Sequence, residues 1–337
     1  MKSFNTLKLV FYNYILKMNL KLSKTLFSIL FLIGFFSCKK TETTCLNSID
    51  IDSCPDQTIT IDSNKINRNV LVIGIDGFRS DALLQITTPF MYQLSQNNHV
   101  FFNGSNRVED HTVSGPNWTS LTTGVHWCKH QVINNDFSDN QLTEYPHFFS
   151  YIESAYPSIQ TTSIVNWTPI NEHITKSLGD YAPQNSLNDA EVFQLASDML
   201  SNQNSINPDV LFLQFDELDG AGHSYGFSSD VTEYAQCLNQ TDQYVEQLFS
   251  LIENKRNNGE DWMIFIVSDH GGDGTSHSNG QQNEHIINTI FFAQHPTLSF
   301  DSSHSSTQVD LVASILDYMG IYSAQFDCKK DGISFIQ

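Results

Sequence analysis

Three segments of the chain are almost wholly apolar, and each runs into an acid: Val70–Asp76 (VLVIGID), Val210–Asp216 (VLFLQFD) and Trp262–Asp269 (WMIFIVSD). A strand with one wet face alternates apolar and polar residues, so a nearly unbroken apolar run implies cover on both faces, as in a mostly parallel sheet between helices. The intervening segments carry helical periodicity. Apolar residues recur at Val231, Tyr234, Leu238, Val245, Leu248, Phe249 and Ile252 behind Asp230. They recur at Val192, Phe193, Ala196, Met199 and Leu200 behind Asn188, so Asp230 and Asn188 are predicted N-caps. A last helix is expected from about Gln308 to Met319, stopped by Gly320. Strands alternating with helices predict an α/β fold, a three-layer α/β/α sandwich with a mostly parallel central sheet. Residues 69–337 suffice for a single domain of this kind.

The N-terminus has a different character. Lys2, Lys8, Lys17, Lys21 and Lys24 precede a 13-residue apolar run, Thr25–Ser37, and no acid interrupts them. The run is short for a membrane span and suits the apolar region of a signal peptide. Met18 opens a more ordinary leader than Met1 does. Cys38, directly after Ser37, resembles the acylated cysteine of a bacterial lipoprotein box, with Phe35 where Leu is usual. Residues 1–37 are therefore expected to be a signal peptide. Residues 38–68, rich in Thr, Ser, Asp and Asn, are expected to be a tether with an entry strand, and Cys38 a lipid anchor holding an exported protein to the cell envelope. Without the five leader lysines, 12 basic residues face 37 acidic ones, a formal charge of −25. That surface disfavours nucleic-acid polymers and anionic membranes, while a small phosphate ester drawn to bound cations remains compatible with it. Five cysteines follow Cys38. Cys45 and Cys54 are close enough for a local disulfide, Cys237 is expected to be buried, and the absence of a C-x-x-C pair argues against a cysteine-ligated metal.

Functional groups of open α/β sheets gather beyond the carboxyl ends of the strands. Here those ends carry Asp76-Gly77-Phe78-Arg79, then Asp216 with Asp219-Gly220-Ala221-Gly222-His223, then Asp269-His270-Gly271-Gly272. One strand-terminal Asp is usually just a cap. Aspartates accompanied by His223 and His270 on glycine-bearing tight loops form a mixed oxygen and nitrogen donor set suited to Zn²⁺ or a similar cation. A fourth element is His111-Thr112-Val113-Ser114-Gly115-Pro116-Asn117-Trp118. Pro116 reads as a first helical residue, which puts Ser114 at or just before a helix N-terminus. Capping is the commoner use of such a serine; beside a ligand set it is also a candidate nucleophile.

The order IDGFR … SGPNWTSLTTGVHWCKHQVINND … DGAGHSYG … SDHGG resembles the alkaline phosphatase superfamily, nearest its nucleotide pyrophosphatase/phosphodiesterase branch, over roughly Val70 to Phe335. The segment Val309–Ile321 followed by Asp331–Phe335 resembles that superfamily's closing helix and strand. The resemblance implies two divalent metal ions, Zn²⁺ foremost. Asp76, Ser114, Asp269 and His270 would hold one, and Asp219, His223 and a later histidine the other. His277 suits that later position by its spacing from the strand Ile290–Ala293, although Ser278 stands where Gly is usual; His285 is the alternative ligand, as in the phosphomutase branch. The resemblance further implies that Ser114 is the nucleophile of a phosphoseryl pathway and that Asn135, twenty-one positions later, supports the phosphoryl oxygens, with Asn134 its neighbour.

These features describe a metal-dependent phosphoric ester hydrolase acting on a small phosphate ester. A diester or pyrophosphate is favoured, because only Arg79, Arg107 and Lys129 lie near the motifs to meet the second charge of a monoester. A monoesterase or phosphonate hydrolase of the same superfamily is the nearest alternative. A sulfatase would need Arg four positions after Ser114, and none is there. A different class is a surface lipoprotein using an inactive hydrolase fold for binding; retention of the acids, the histidines and Ser114 argues against it. Trp118, Trp127 and Phe137 are candidates for stacking on an apolar leaving group, core packing being the commoner use. His126, His130 and His295 are expected to be structural, and His111 to line the pocket.

Overall fold

The three apolar runs lie side by side. In the computed structural model, which describes residues 54–55 and 58–337, the strands are β1 (Ile59–Ile61), β2 (Arg68–Ile75), β3 (Val100–Arg107), β4 (Thr161–Val165), β5 (Val210–Phe215), β6 (Asp261–Val267), β7 (Asn288–Gln294) and β8 (Ile321–Ser323). Six of them form one sheet in the order β3-β7-β6-β2-β5-β4. Neighbours pair in parallel except that β7 runs against both β6 and β3. Alternate residues of β2 serve opposite faces. Val70 and Val72 pack with Leu121, Leu311, Val312 and Ile315, whereas Leu71, Ile73 and Ile75 pack with Leu238, Val245, Leu248 and Ile252. Two helical layers cover one sheet, which is the physical reason its central strands read as nearly unbroken apolar runs.

The strand ends are level. Ile75 is in register with Phe215, and Gly74 with Val267, so Asp76, Asp216 and Asp269 emerge side by side at one rim. That register turns three distant segments into one site.

Helix boundaries follow the local chemistry in most places. Asn188 accepts from the Glu191 amide while the Glu191 carboxylate accepts from the Asn188 amide, a full capping box at the start of Asp189–Leu200. The C-terminal helix spans Asp310–Tyr318, and Gly320 takes a left-handed φ of 69° just beyond it. Asp230 is not a cap: the long helix Thr232–Asn257 starts behind Val231, and no side chain caps it. The final Asp331–Phe335 stretch forms no strand; Phe335 instead stacks on Phe101 at 4.1 Å, and the tail makes one isolated bridge, Phe300 to Ile336.

The cysteines correct the local pairing expected for Cys54. Cys54 is bonded to Cys328, 274 positions away, and β1 pairs antiparallel with β8, so residues ahead of β2 are fastened to the C-terminal end of the domain. Cys128 is also disulfide-bonded, and Cys237 is free and half-buried on its helix. The leader, Cys38 and Cys45 lie outside the described residues. Among the described residues, no helix is long and apolar enough to cross a membrane.

Closing so long a loop restricts the unfolded chain strongly. The double variant Cys54→Ser/Cys328→Ser is expected to lose about 2–5 kcal/mol, read as a lower urea midpoint. Reduction of the wild type should move it in the same direction, and an unchanged midpoint would show that β1 and β8 hold the ends together unaided.

Candidate metal centre and nucleophile

Asp76 follows the last residue of β2 and is fully buried. Its Oδ2 accepts from Trp118 Nε1 at 2.9 Å and Gln214 Nε2 at 3.3 Å, but its Oδ1, also buried, has no hydrogen-bond partner. Trp118 reaches it because Gly74 lies beneath the ring: a Cβ there would stand 2.5 Å from the indole. Asp269, beyond β6, repeats the pattern. Its Oδ1 accepts from the Gly77 amide at 3.3 Å, and its Oδ2 is buried without a partner. Gly77 itself holds φ at 71° beside the Asp219 backbone, where a side chain would not fit.

Asp219 and His223 lie on a helix, Glu217–Tyr225, not on the tight loop the sequence suggested. The four-residue spacing stacks them on one helical face, with His223 Nε2 3.3 Å from Asp219 Oδ2. Asp189 orients that helix from outside, its carboxylate accepting from the Asp216 and Glu217 amides at 2.8 and 3.1 Å. His277 comes from the loop that follows β6, its Nε2 3.0 Å from His223 Nε2 and 3.7 Å from Asp219 Oδ1. His270 Nε2 lies 3.2 Å from Asp269 Oδ2, 3.5 Å from Asp76 Oδ1 and 3.3 Å from Ser114 Oγ.

Two groups thus have ligand atoms within 4.8 Å of one another: Asp219, His223 and His277, and Asp76, Asp219 and His270. Asp269 is in neither group, and neither is His285. Its Nδ1 meets Asp81 at 3.1 Å and Arg79 Nη2 at 2.7 Å, on the flank of the cluster.

The donor set fits divalent cations on three counts. Asp76 Oδ1, Asp219 Oδ1 and Asp269 Oδ2 are buried oxygens without hydrogen-bond partners, a costly arrangement unless something positive meets them. Each histidine places Nδ1 on a backbone carbonyl: His223 on Thr275 at 3.0 Å, His270 on Gly271 at 3.0 Å and His277 on Thr112 at 2.7 Å. Each Nε2 is thereby directed at the acids, the orientation typical of metal-binding imidazoles. Burial, and then repulsion from neighbouring aspartates, holds the Asp76 and Asp269 carboxyls well above the usual range, while burial pushes His270 down to about 3. The hydrogen bond to Asp219 raises His223 to about 9, so protons compete with any cation for that nitrogen.

Ser114 opens the helix Ser114–Thr123, two residues earlier than the proline signal suggested, and Val113 occupies the cap position without a side-chain bond. The Ser114 hydroxyl is therefore not spent on capping. Asn117, fully buried, staples the approach to it: its amide donates to the carbonyls of His111 at 2.9 Å and Val113 at 2.7 Å, while its Oδ1 accepts from the Glu109 amide. Asn135 Oδ1 accepts from the Gly115 amide at 2.7 Å, which leaves its NH₂ as a donor next to Ser114. The Asn134 side chain turns to Asp136.

Residues 70–314 match the family model of type I phosphodiesterase/nucleotide pyrophosphatase. The chain belongs to that family. A comparison with curated proteins finds no match. Among solved structures, murine ectonucleotide pyrophosphatase/phosphodiesterase 5, as an inactive variant in complex with AMP, is similar with a TM-score of 0.58 and 14% identity, over 76% of this chain and 96% of that one. The periplasmic domain of EptC from Escherichia coli, in complex with Zn, gives 0.56 and 12%, over 82% and 89%. A 2-O GAG sulfatase gives 0.59 and 13%, over 79% and 73%. At these identities the likeness shows the alkaline-phosphatase-like fold, and the family membership rests on the sequence match.

Other residues of this phosphodiesterase-family chain have structural surroundings. Trp118 and Phe137 are core residues, the first donating to Asp76 and the second stacked on His173 at 4.7 Å. Trp127 meets His111 edge to face at 4.5 Å. His126 pairs with Glu109, His130 with Ser120 and His295 with Asp261. Sequence reasoning missed the supports, Gln214 and Thr112. Gln214 left a signal, the one polar residue inside VLFLQFD.

A carboxyl whose folded pKa lies above its unfolded value binds protons preferentially in the folded state, so stability falls as pH rises above the unfolded value near 4. In EDTA, Asp76→Asn is expected to be more stable than wild type by about 1–3 kcal/mol at pH 8, read as a higher unfolding midpoint, with the gap shrinking toward pH 4. The same variant should lose most of the stabilisation that Zn²⁺ gives the wild type. A lower midpoint in EDTA at pH 8 would contradict the crowding described here.

Proposed function

We propose that this chain is a metal-dependent phosphodiesterase that works through a phosphoseryl intermediate on Ser114. The observation carrying the proposal is the Ser114 hydroxyl, unspent on capping and 3.3 Å from His270 Nε2, against buried aspartate oxygens that lack partners. Asp76, Ser114, Asp269 and His270 would hold one cation, and Asp219, His223 and His277 the other, with Zn²⁺ the metal best suited to the mixed donors. Bound there, the cations would lower the pKa of the serine hydroxyl and neutralise charge on the phosphoryl oxygens.

The chain's own groups supply position. The Ser114 helix N-terminus and the Asn117 staple fix the attacking oxygen. The Asn135 NH₂ donates to a phosphoryl oxygen. Ser114 Oγ attacks phosphorus in line, the bond to the leaving oxygen breaks, and the leaving group departs and takes a proton. Water then attacks phosphorus, the bond to Ser114 Oγ breaks, and the serine is restored with its proton.

Two of the three cationic side chains near the motifs are already engaged, which supports a diester; the third, Arg107, is exposed at the end of β3. Arg79 is bound to Asp81, to His285 and to the Phe227 carbonyl, and Lys129 to Asp331 and the Lys329 carbonyl, so neither is free to meet a second phosphate charge. We further propose export. The signal-peptide-like leader and the Cys54–Cys328 bond suit an oxidising compartment, and Cys38 would be the site of lipid attachment.

Ser114→Ala is expected to reduce turnover of bis-p-nitrophenyl phosphate by at least about 10³-fold while retaining Zn²⁺ uptake. Wild type should prefer that diester to p-nitrophenyl phosphate in kcat/KM. Full activity of the alanine variant would remove the nucleophile assignment, and a monoester preference would redirect the substrate class.

A further inference from the structure

Thr112 is buried, two residues ahead of Ser114, and makes three hydrogen bonds to one loop. Its carbonyl accepts from His277 Nδ1 at 2.7 Å, its hydroxyl donates to the His277 carbonyl at 2.5 Å, and the same Oγ1 accepts from the Gly280 amide at 3.0 Å. The other two histidines of the cluster are oriented locally or by this same loop. His270 uses the carbonyl of its neighbour Gly271, and His223 uses the Thr275 carbonyl, two residues before His277. The loop pinned by Thr112 thus supports two of the three ligand groups around Asp219. The Asp76 and Asp269 carboxylates rest on Trp118, Gln214 and the Gly77 amide, none of which touches Thr112.

We propose that Thr112 is a positioning residue that presets the His277 loop for the ion at Asp219, His223 and His277, and joins that half of the centre to the segment leading into the Ser114 helix. This rests on the dinuclear reading above. The backbone carbonyl fixes the imidazole tautomer, and the hydroxyl fixes the loop that carries the ring. Partners of this kind set metal affinity by about 10–100-fold. A packing role alone would affect both ion sites equally or neither.

The test uses the whole mature chain with Zn²⁺ as the only added ligand, its affinities read by competition with a chromophoric chelator. Wild type is expected to bind two ions. Thr112→Val, which keeps the shape but removes the hydroxyl, should weaken one site by about 10–100-fold and leave the other unchanged. Thr112→Ser, which keeps the hydroxyl and removes the methyl, should bind like wild type. Unchanged affinities in Thr112→Val, or equal losses at both sites, overturn the proposal. So does loss of the second ion in Thr112→Ser, a measurement that stands even where the valine variant fails to fold. Wild type taking up fewer than two ions would instead overturn the dinuclear reading, and this inference with it.

Discussion

The structure is organised around an electrostatic conflict, the convergence of Asp76, Asp219 and Asp269 in a site where two of the three are fully buried. Removing a carboxylate from water carries an idealised cost of order 20 kcal/mol, several kcal/mol after relaxation. A hydrogen bond to a charged group returns about 1.5–3 kcal/mol. Asp76 has two such bonds, both on one oxygen, and Asp269 has a backbone amide on one of its oxygens. The supports orient the acids without neutralising them. The oxygens left over belong to three different segments of chain, so no single local turn explains them. Cations bound between them, as proposed above, would.

The fold creates this conflict by register. Because β2, β5 and β6 end level, an acid one or two positions past each end falls in the same small volume. The remaining groups are brought in by other means. A helical turn delivers Asp219 with His223, Asp189 fixes the start of that turn, and Asn117 fixes the loop entering Ser114. Gly74 has a comparable role inside the sheet, since any side chain there would displace the indole that holds Asp76. The rim is therefore built from rigid elements, with His277 as the group most dependent on a loop.

What the sequence makes legible follows from how local each signal is. Nearly unbroken apolar runs report two-sided burial directly, and their terminal acids report the rim. The capping box at Asn188 and Glu191 is equally local. Asp230 misleads because an acid before an apolar stripe reads as a cap whether or not the helix begins there. Asp219-Gly220-Ala221-Gly222-His223 reads as a loop because its two glycines disfavour helix, yet the Asp189 carboxylate on the Asp216 and Glu217 amides and the packing of Leu218 and Phe227 outweigh them. The pairing of Cys54 with Cys328 is invisible locally, since nothing near Cys54 specifies a partner 274 positions away. Thr112 is silent for the same reason: its importance lies in what it touches across 165 positions of sequence.

Charge links the site to its substrate. The chain carries a formal −20, and of the three cations near the motifs Arg79 and Lys129 are tied into the scaffold while Arg107 is exposed at the end of β3. Attraction for a phosphate ester must then come mainly from bound ions. Under the proposed occupancy, two divalent cations set against the carboxylates of Asp76, Asp219 and Asp269, with neutral histidines and a neutral serine, leave one net positive charge. A diester monoanion balances that charge. A monoester dianion would leave an uncompensated negative charge among acids already crowded. Arg79 and Lys129, two of the side chains that could serve a monoester's second charge under the proposed reading, are used by this fold to hold itself together.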